Sequence, residues 1–346
     1  MDKKVIYIGE HPSEFGGITK KSEILYNQMR KFHPVDLISI NVKNKKKISF
    51  LIAVISMILK VNKKVNVMYC IDSYRLYALL KLQRVFHPKT ISNTIIVISG
   101  GDVSRIDVAK KDGLIEIFGN SKGVWVESER LKIVLEQNGI KNCLVYPNPR
   151  DIDVVIPPTP TKENNIIKLL YYSLISEEKG AIDTIQAVQK LNELNQIQFT
   201  IDFYGSITDK ICDRFKAFID QTPNANYCGF NDSKDIRKYY ETISTHDIFI
   251  FPTHWKGEGV AGVCVEAKAT GLAIIASDHN VNREIVRESN KEGIIIEEGN
   301  IDQLVNSILR LAKDEKLLME IKNASFESRL RYDVKEYQSL YENCFI

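Results

Sequence analysis

The most informative stretch of this 346-residue chain is Phe251-Pro-Thr-His-Trp-Lys-Gly-Glu-Gly-Val-Ala-Gly-Val-Cys-Val-Glu-Ala-Lys-Ala-Thr-Gly271, followed directly by Leu272-Ala-Ile-Ile-Ala-Ser277. An apolar strand ends at Pro252, a glycine-rich turn follows, and the spacing predicts a helix over 262–270 and a buried strand over 273–277. Backbone N–H groups at such a helix start form an anion site, and small residues let a ligand approach the main chain. The stretch therefore predicts an α/β fold with a ligand site at a strand-to-helix turn.

The same alternation of apolar strands and amphipathic helices extends over the whole chain. Continuous apolar runs such as 94–99 suit parallel strands that are covered on both faces. The predicted strands are 5–8, 35–40, 65–71, 94–99, 123–126, 143–146, 167–174, 199–204, 225–228, 247–251, 273–277 and 293–296. In the second half we predict helices near 180–194, 208–220, 233–243, 262–270, 301–313 and 315–330. This βαβ pattern is typical of doubly wound α/β domains.

A proline-rich segment separates two such series. Five prolines fall between Pro147 and Pro160, where they can continue neither a helix nor a central strand. We therefore predict an N-terminal Rossmann-like domain over 1–150, a linker over 151–165, a second Rossmann-like domain over 166–330 and a C-terminal helix over 331–346. The length suits two domains that each bury a core and face a common cleft.

The composition is that of an ordinary globular protein, with 44% hydrophobic and 26% charged residues, which excludes disorder, collagen and a membrane bundle. The six cysteines form no C-x-x-C pair, so neither a disulfide framework nor a zinc site is expected. The N-terminus lacks the apolar region of a signal peptide, and we expect a cytoplasmic location.

Residues 1–150 carry 25 Lys and Arg against 13 Asp and Glu, which suggests either an anionic partner or ordinary surface charge.

Two carboxylates of the quoted stretch are candidate ligand-binding groups. Glu258 lies in the glycine-rich turn, and Glu266 follows eight positions later, inside the predicted helix. Carboxylates there are acceptors for sugar hydroxyls. The alternative for Glu266 is a purely local role, because acidic residues favour the first turn of a helix.

The motifs together resemble the retaining glycosyltransferases of GT-B fold, family four (group one), which share a Glu-(seven residues)-Glu motif in this setting. The resemblance covers nearly the whole chain. Besides Glu258 and Glu266, the matching segments are Pro252-Thr253, Gly271, Glu10–Ile18 after the first strand, Tyr146-Pro-Asn148, Glu177-Glu-Lys-Gly180, Ala312–Glu315 and Tyr332–Tyr341.

The resemblance implies a donor site for a UDP-sugar or GDP-sugar, mainly on the second domain. Lys179 would neutralise diphosphate charge, Glu258 would hold the transferred sugar, and Glu266 would accept from the ribose hydroxyls. The helix start at Gly262 and Val263 and the glycines Gly16 and Gly17 would bind phosphate. Considered alone, Gly16-Gly17 is more often a tight strand-to-helix turn, and Lys179 a solvated lysine.

The chain departs from the family pattern at three places. Ser173 stands where many members carry an arginine, and Lys256 is a weak substitute. Ser99 and Asp102 stand near the position of a common histidine, and they are candidate contacts to the sugar or acceptor. Val260-Ala-Gly262 replaces the common Phe-Gly-Leu.

Metal binding and membrane contact each depend on one segment. Asp151-Ile-Asp153 matches the Asp-x-Asp pattern of metal-dependent transferases, but it lies in the proline-rich segment, and we interpret it as linker and expect no metal.

Residues 43–64 place seven lysines and no acid around the apolar run 48–59. That run is too short to span a bilayer but long enough to lie on one. The favoured alternative is a crossover helix packed on the sheet.

The sequence therefore predicts a metal-independent, retaining hexosyltransferase that moves sugar to a hydroxyl of a glycan or glycolipid, in surface polysaccharide synthesis of the bacterial type. We expect no nucleic-acid partner and consider peripheral contact with the inner face of an anionic membrane through 43–64. Two alternatives remain: a nucleotide-sugar epimerase of the same fold, and a catalytically weak partner subunit, which Ser173 and Ser99 favour.

Overall fold

The computed structural model describes residues 3–10, 17–40, 46–100, 104–111, 113–160, 166–230 and 235–346, except for the side chains of 46, 47, 104–106 and 111. The chain divides into an N-terminal unit, Met1–Asp151 with Tyr332–Ile346, and a C-terminal unit, Ile152–Arg331. Each unit contains one six-stranded parallel sheet with helices around it.

The N-terminal unit is built on strands that alternate with helices. Its elements are β1 Val5–Gly9, α1 Gly17–Phe32, β2 Val35–Ser39, α2 Lys46–Lys60, β3 Asn66–Cys70, α3 Ser73–Phe86, β4 Thr94–Val97, α4 Ser104–Lys111, α5 Leu114–Asn120, β5 Gly123–Val126, α6 Glu129–Gln137 and β6 Cys143–Val145. The strand order is β2-β1-β3-β4-β5-β6. Successive residues of β1 enter different cores, Ile6 and Ile8 one and Val5 and Tyr7 the other, as a strand covered on both faces requires.

The C-terminal unit repeats this architecture with a different strand order. Its elements are β7 Ile166–Tyr172, α7 Ala181–Leu194, β8 Gln198–Tyr204, α8 Cys212–Gln221, β9 Ala225–Tyr227, α9 Ile236–Ser244, β10 Ile248–Phe251, α10 Gly262–Ala269, β11 Ala273–Ser277, α11 Asn282–Ile285, β12 Ile294–Ile296, α12 Ile301–Lys313 and α13 Glu315–Glu327. The sheet order is β12-β11-β10-β7-β8-β9. The first strand of this unit, β7, therefore lies in the middle of the sheet, beside β10. From β7 the next strand is added on one side of the sheet, and from β10 the next strand is added on the other side.

The end of the chain differs from the prediction of a single helix over 331–346. It forms two 3₁₀ turns, Ser328–Tyr332 and Val334–Tyr337, followed by the short helix α14 Gln338–Asn343. The interruption has a local cause: Asp333 pairs with Arg150 in a β-bridge, and its side chain accepts from the Lys335 N–H. The segment then packs on the N-terminal unit, where the Tyr341 and Tyr146 hydroxyls lie 3.0 Å apart in a buried aromatic cluster with Trp125.

The proline-rich segment has no regular structure over 151–160, and it packs on the C-terminal unit. Pro158 lies against Gly271, where an added Cβ would come within 2.7 Å of the proline ring and φ is +70°. The buried ammonium group of Lys322 donates to the Thr159 carbonyl at 2.9 Å. All six cysteines have free thiols.

Candidate active site

The carboxyl ends of β7 and β10 bring together the predicted lysine and the first predicted glutamate. These strands flank the point at which the strand order reverses, and open parallel sheets bind ligands outside the strand ends at such a point. Lys179, after β7, places its ammonium group 2.5 Å from the Glu258 carboxylate in the loop after β10. Both side chains are largely buried, with 14% and 8% of their surfaces exposed.

The loop that carries Lys179 is held in place by close contact with the end of β10 and by hydrogen bonds from Tyr171 to its backbone carbonyls. Gly180 has φ +75° and lies so close to the end of β10 that a Cβ would come within 2.1 Å of the Pro252 carbonyl oxygen. The Tyr171 hydroxyl donates to the carbonyls of Leu174, at 3.0 Å, and Lys179, at 3.1 Å. Glycine is thus required here because the two strand-end loops touch.

The Glu258 loop is fixed by Thr253, which belongs to a segment that matched the family motifs, and by Asn280, which the sequence did not single out. The buried Thr253 hydroxyl donates to the Glu258 carboxylate at 3.1 Å. The Asn280 side-chain amide donates to the Lys256 and Glu258 carbonyls, at 3.0 and 3.2 Å. The Trp255 ring lies 4.0 Å from the Lys179 ammonium group, within cation–π distance. These contacts orient the carboxylate and the ammonium group toward each other.

Glu266 lies on α10 and is also buried, with 8% of its surface exposed. The Tyr239 hydroxyl of α9 donates to its carboxylate. Burial raises the pKa of the Cys264 thiol well above its usual range, and the nearby charges of Glu258 and Glu266 raise it further. The Tyr239 ring packs against Tyr172, the last residue of β7, with ring centroids 5.5 Å apart, so the contact between Tyr239 and Glu266 lies near the carboxyl end of that strand.

The N-terminus of α10 supplies backbone N–H groups that have no hydrogen-bond partner among the described residues. The helix begins at Gly262 and Val263, whose N–H groups have no intrahelical acceptor at this position. Ala261 precedes the helix and offers no side-chain cap. A helix start carries partial positive charge, which suits an anion, and the anion site at Gly262 and Val263 stays a prediction.

A buried ion-pair network supports the other end of α10. The ammonium group of Lys268, fully buried, lies 3.0 Å from the Glu292 carboxylate, which also accepts from Arg331 at 2.6 and 2.7 Å. Burial lowers the pKa of Lys268 to about 8, against the attraction of Glu292. Burial alone would raise the pKa of Glu292, but its contacts with Arg331 and Lys268 lower it to about 2.

Changing Glu292 to glutamine should lower the free energy of unfolding at neutral pH by about 3–5 kcal/mol, because Lys268 and Arg331 lose their buried counter-ion. Since the folded-state pKa of Glu292 lies below its unfolded value, the stabilisation is present above about pH 4.5 and is lost as the pH falls toward 2. Urea unfolding between pH 7 and 3 should show the difference between wild type and variant narrowing in acid. Glu320→Gln, at an exposed pair with Lys291, is the control and should change stability little at any pH. A constant difference across the pH range would contradict the assignment.

The predicted N-terminal residues are only partly described by the structure. Gly16 and Asp102 lie outside the described residues. Gly17 begins α1 and is exposed, and an added Cβ would meet no described atom within 4 Å, so packing does not require glycine there. Ser99 follows β4 and is buried, and its hydroxyl has no hydrogen-bond partner among the described residues.

The strand ends of the N-terminal unit also carry a buried ion pair that the sequence analysis missed. Lys21 on α1 donates to the Glu127 carboxylate after β5 at 2.9 Å, and both side chains are almost fully buried. The other oxygen of Glu127 accepts from the Gly100 N–H at 3.2 Å. No sequence signal links residues 106 positions apart; only the order of β1, β4 and β5 brings them together.

The structure describes Ser173 and Lys256, which depart from the family pattern, and the two aspartates of the Asp-x-Asp segment. Ser173 follows β7, and its carbonyl oxygen packs so tightly on Gly205 that a Cβ there would approach to 1.9 Å. The Lys256 side chain is exposed, and no described contact joins it to Lys179 or Glu258. Asp151 and Asp153 are exposed. Across the described ranges, no group of three or more His, Cys, Asp or Glu side chains is arranged to hold a metal ion.

The two parallel sheets and the charged groups at a strand-order reversal define a GT-B type of α/β fold, and comparison with solved structures agrees. Sucrose-phosphate synthase from Thermosynechococcus elongatus superposes with TM-score 0.76 at 14% identity, over 99% of both chains. Anabaena HepE, solved in complex with UDP and glucose, gives TM-score 0.70 at 14% identity, over 98% of both.

Sequence comparison identifies the family. The family model "Glycosyl transferases group 1" matches residues 156–328, half of the chain. The chain belongs to this glycosyltransferase family, as the motifs predicted.

Curated relatives extend the comparison. The Erwinia amylovora amylovoran biosynthesis glycosyltransferase AmsK is 27% identical over 154 residues, 43% of this chain and 37% of its own length. The Bacillus subtilis poly(glycerol-phosphate) alpha-glucosyltransferase is 24% identical over 245 residues, 69% of this chain and 34% of its own. An Escherichia coli galactosyltransferase, which uses UDP-Gal and GlcNAc-diphosphoundecaprenol, is 33% identical over 81 residues, 23% of this chain and 20% of its own. The matches thus span between 20% and 37% of the length of these relatives.

Proposed function

We propose that this protein is a retaining glycosyltransferase that moves a hexose from a UDP-sugar or GDP-sugar to a hydroxyl of a glycan or glycolipid. The observation that carries the proposal is the group at the end of β7 and β10. The Lys179 ammonium group and the buried Glu258 carboxylate meet there, and α10, which follows Glu258 in the chain, adds a helix start and the buried carboxylate of Glu266. Cation and helix dipole suit a diphosphate, whereas carboxylates suit hydroxyls.

Each of these groups has a separate role in the proposed reaction. Lys179 and the N–H groups of Gly262 and Val263 stabilise the negative charge that grows on the diphosphate as the sugar leaves. Glu266, oriented by Tyr239, accepts from the ribose hydroxyls. Glu258, oriented by Thr253, accepts from the sugar hydroxyls. In the structure Lys179 has only Glu258 as its described acidic partner, so the diphosphate would add a second anion to this pair.

We place proton transfer on the substrates themselves. In a front-face reaction, the leaving phosphate oxygen accepts the proton of the attacking acceptor hydroxyl on the same face of the sugar, so that configuration is retained. This needs no protein nucleophile, and we assign none. On the N-terminal unit, the unpartnered Ser99 hydroxyl is the described group that we propose contacts sugar or acceptor.

The names of the relatives support surface polysaccharide or glycolipid synthesis as the setting. One relative acts in amylovoran biosynthesis, one on a diphosphoundecaprenol-linked sugar and one on poly(glycerol-phosphate). Because a fold neighbour was solved with UDP and glucose, UDP-sugars are the first donors to assay.

Release of nucleoside diphosphate, measured with and without a glycan or lipid-linked acceptor, tests the proposal. A transferase releases nucleotide faster when the acceptor is present. Conversion of the donor sugar without nucleotide release would instead favour the epimerase alternative, which needs an acid and base pair beside the sugar. Nucleotide binding without any turnover would favour the weakly active partner subunit.

Chelation should leave turnover unchanged within about twofold, because Lys179 and the α10 dipole supply the positive charge that a metal would otherwise provide. The measurement compares initial rates in EDTA, in Mg²⁺ and in Mn²⁺. The control is a metal-dependent transferase assayed in the same buffers. Loss of activity in EDTA with recovery in Mn²⁺ or Mg²⁺ would contradict metal independence and would return attention to Asp151 and Asp153.

A further inference from the structure

Helix α2 exposes a continuous apolar face that the described part of the fold leaves uncovered. Its inner side packs on the sheet through Ala53 and Met57, which confirms the crossover-helix interpretation of this segment. On the opposite side five large apolar side chains are 49–77% exposed. They are Ile48, Leu51, Ile52, Ile55 and Leu59, and we call them the outer face of α2.

The spacing of the outer face makes it one surface. Its positions follow i, i+3, i+4, i+7 and i+11, which form a stripe about 100° wide on an α-helix. The stripe is about 17 Å long at 1.5 Å per residue, well short of the roughly 30 Å of a bilayer core. None of the helices in the described ranges has the length and apolar composition needed to cross a membrane. The outer face therefore suits a helix that lies in an interface plane.

The charges within this helix and its flanking residues in the sequence are of one sign. Residues 43–64 contain seven lysines and no acid. Lys60, Lys63 and Lys64, just beyond the outer face, are exposed and make no ion pair with any described acidic group. The exposed Val85 and Phe86 end α3, and the next residue, His87, contacts the Ile58 carbonyl at 3.0 Å, so more apolar surface lies beside the end of α2.

We propose that the outer face of α2 docks on the surface of an anionic lipid bilayer. The apolar stripe would enter the boundary between headgroups and acyl chains, while the lysines would contact anionic headgroups. A second copy of this chain fits less well, because a two-fold contact through α2 would bring the lysine-rich ends of the two helices together. The inference does not depend on the donor chemistry proposed above.

Sedimentation of the full chain with vesicles tests the proposal. We expect binding to vesicles in which about a third of the lipid is phosphatidylglycerol, weak binding to pure phosphatidylcholine, and loss of binding at high ionic strength. Equal binding to both vesicles, or no binding to either, would overturn the proposal.

Two variants separate the apolar from the electrostatic contribution. Leu51→Gln with Ile55→Gln, and separately Lys60→Glu with Lys63→Glu, should each weaken binding about tenfold or more. All four side chains are exposed, so the fold should persist, which circular dichroism and thermal unfolding would verify. Full retention of binding by either variant would overturn the proposal.

Controls come from the same unit. Ile133→Gln changes an isoleucine that is 49% exposed on α6, and Lys141→Glu reverses an exposed charge away from α2; both should bind like the wild type. Sedimentation velocity without lipid examines the alternative occupant. A dimer that the Leu51→Gln, Ile55→Gln variant dissociates, together with no vesicle binding, would make the outer face a self-association surface and would overturn the lipid proposal.

Discussion

Replacing Glu258 by glutamine is expected to lower the turnover number about a hundredfold while leaving affinity for the free nucleoside diphosphate equal or higher. The carboxylate is assigned to the sugar, which the free nucleotide lacks. Each lost hydrogen bond to a charged acceptor costs about 1.5–3 kcal/mol where it is fully made in the transition state. The substitution also removes the counter-ion from Lys179, which leaves its ammonium group available to phosphate.

Calorimetry with UDP or GDP alone, beside kinetics with the full donor, measures both parts of this expectation. Glutamine preserves the shape of the side chain and an acceptor for the Thr253 hydroxyl, so misfolding is not the expected cause of lost turnover. Glu193→Gln, at an exposed position on α7 of the same unit, is the matched control and should behave as the wild type.

Glu266→Gln provides the contrast, since the ribose that it is assigned to is present in both ligands. It should weaken the free nucleotide and the full donor alike. If Glu258→Gln instead abolished nucleotide binding, or if neither substitution changed binding or turnover, the roles given to the two glutamates would be wrong. The partner-subunit alternative would then become the better explanation.

Replacing Lys179 by methionine should weaken binding of nucleoside diphosphate and full donor by roughly 10–150-fold, the equivalent of about 1.5–3 kcal/mol for a charge-assisted contact. It should also destabilise the protein, because Glu258 is left buried without its cation. Methionine has an unbranched side chain of similar length without the ammonium group, so the loss reports the charge and its contact with the Trp255 ring.

The double variant Lys179→Met, Glu258→Gln separates the two effects. Removing both charges should recover much of the lost stability, whereas donor affinity should stay low. Chemical unfolding and calorimetry on the single and double variants complete the cycle, with Lys216→Met at an exposed site on α8 as control. A Lys179→Met variant that binds nucleotide like the wild type would make Lys179 a structural partner of Glu258 only.

Much of the fold followed from local patterns in the sequence. Each of the twelve predicted strands is present, and two, Gly123–Val126 and Ala273–Ser277, have the predicted bounds. Strands buried on both faces are continuous apolar runs, and helices carry a stripe at 3.6-residue spacing, so a short window identifies either. The helix start at Gly262 followed from the same kind of local signal, a glycine-rich turn after a buried strand.

The C-terminal segment shows where local patterns failed. Residues 331–346 have helical spacing, yet Asp333 bridges to Arg150 and the segment breaks into 3₁₀ turns and the short α14. Its aromatic side chains fill the core against Trp125 and Tyr146, and Tyr341 lies 195 positions after Tyr146. A contact of that sequence separation outweighs helix propensity, which is worth less than about 1 kcal/mol per residue.

The sequence by itself determined the element types, the division at the proline-rich segment and the identity of Lys179, Glu258 and Glu266 as candidate groups. Only the tertiary structure decided that Lys179 and Glu258, 79 positions apart, form an ion pair and that Tyr239 donates to Glu266. It also decided which side of α2 faces away from the sheet. The physical reason is that parallel strands become neighbours through crossover packing over tens of residues, so their order, and whatever meets at their ends, is absent from any local pattern.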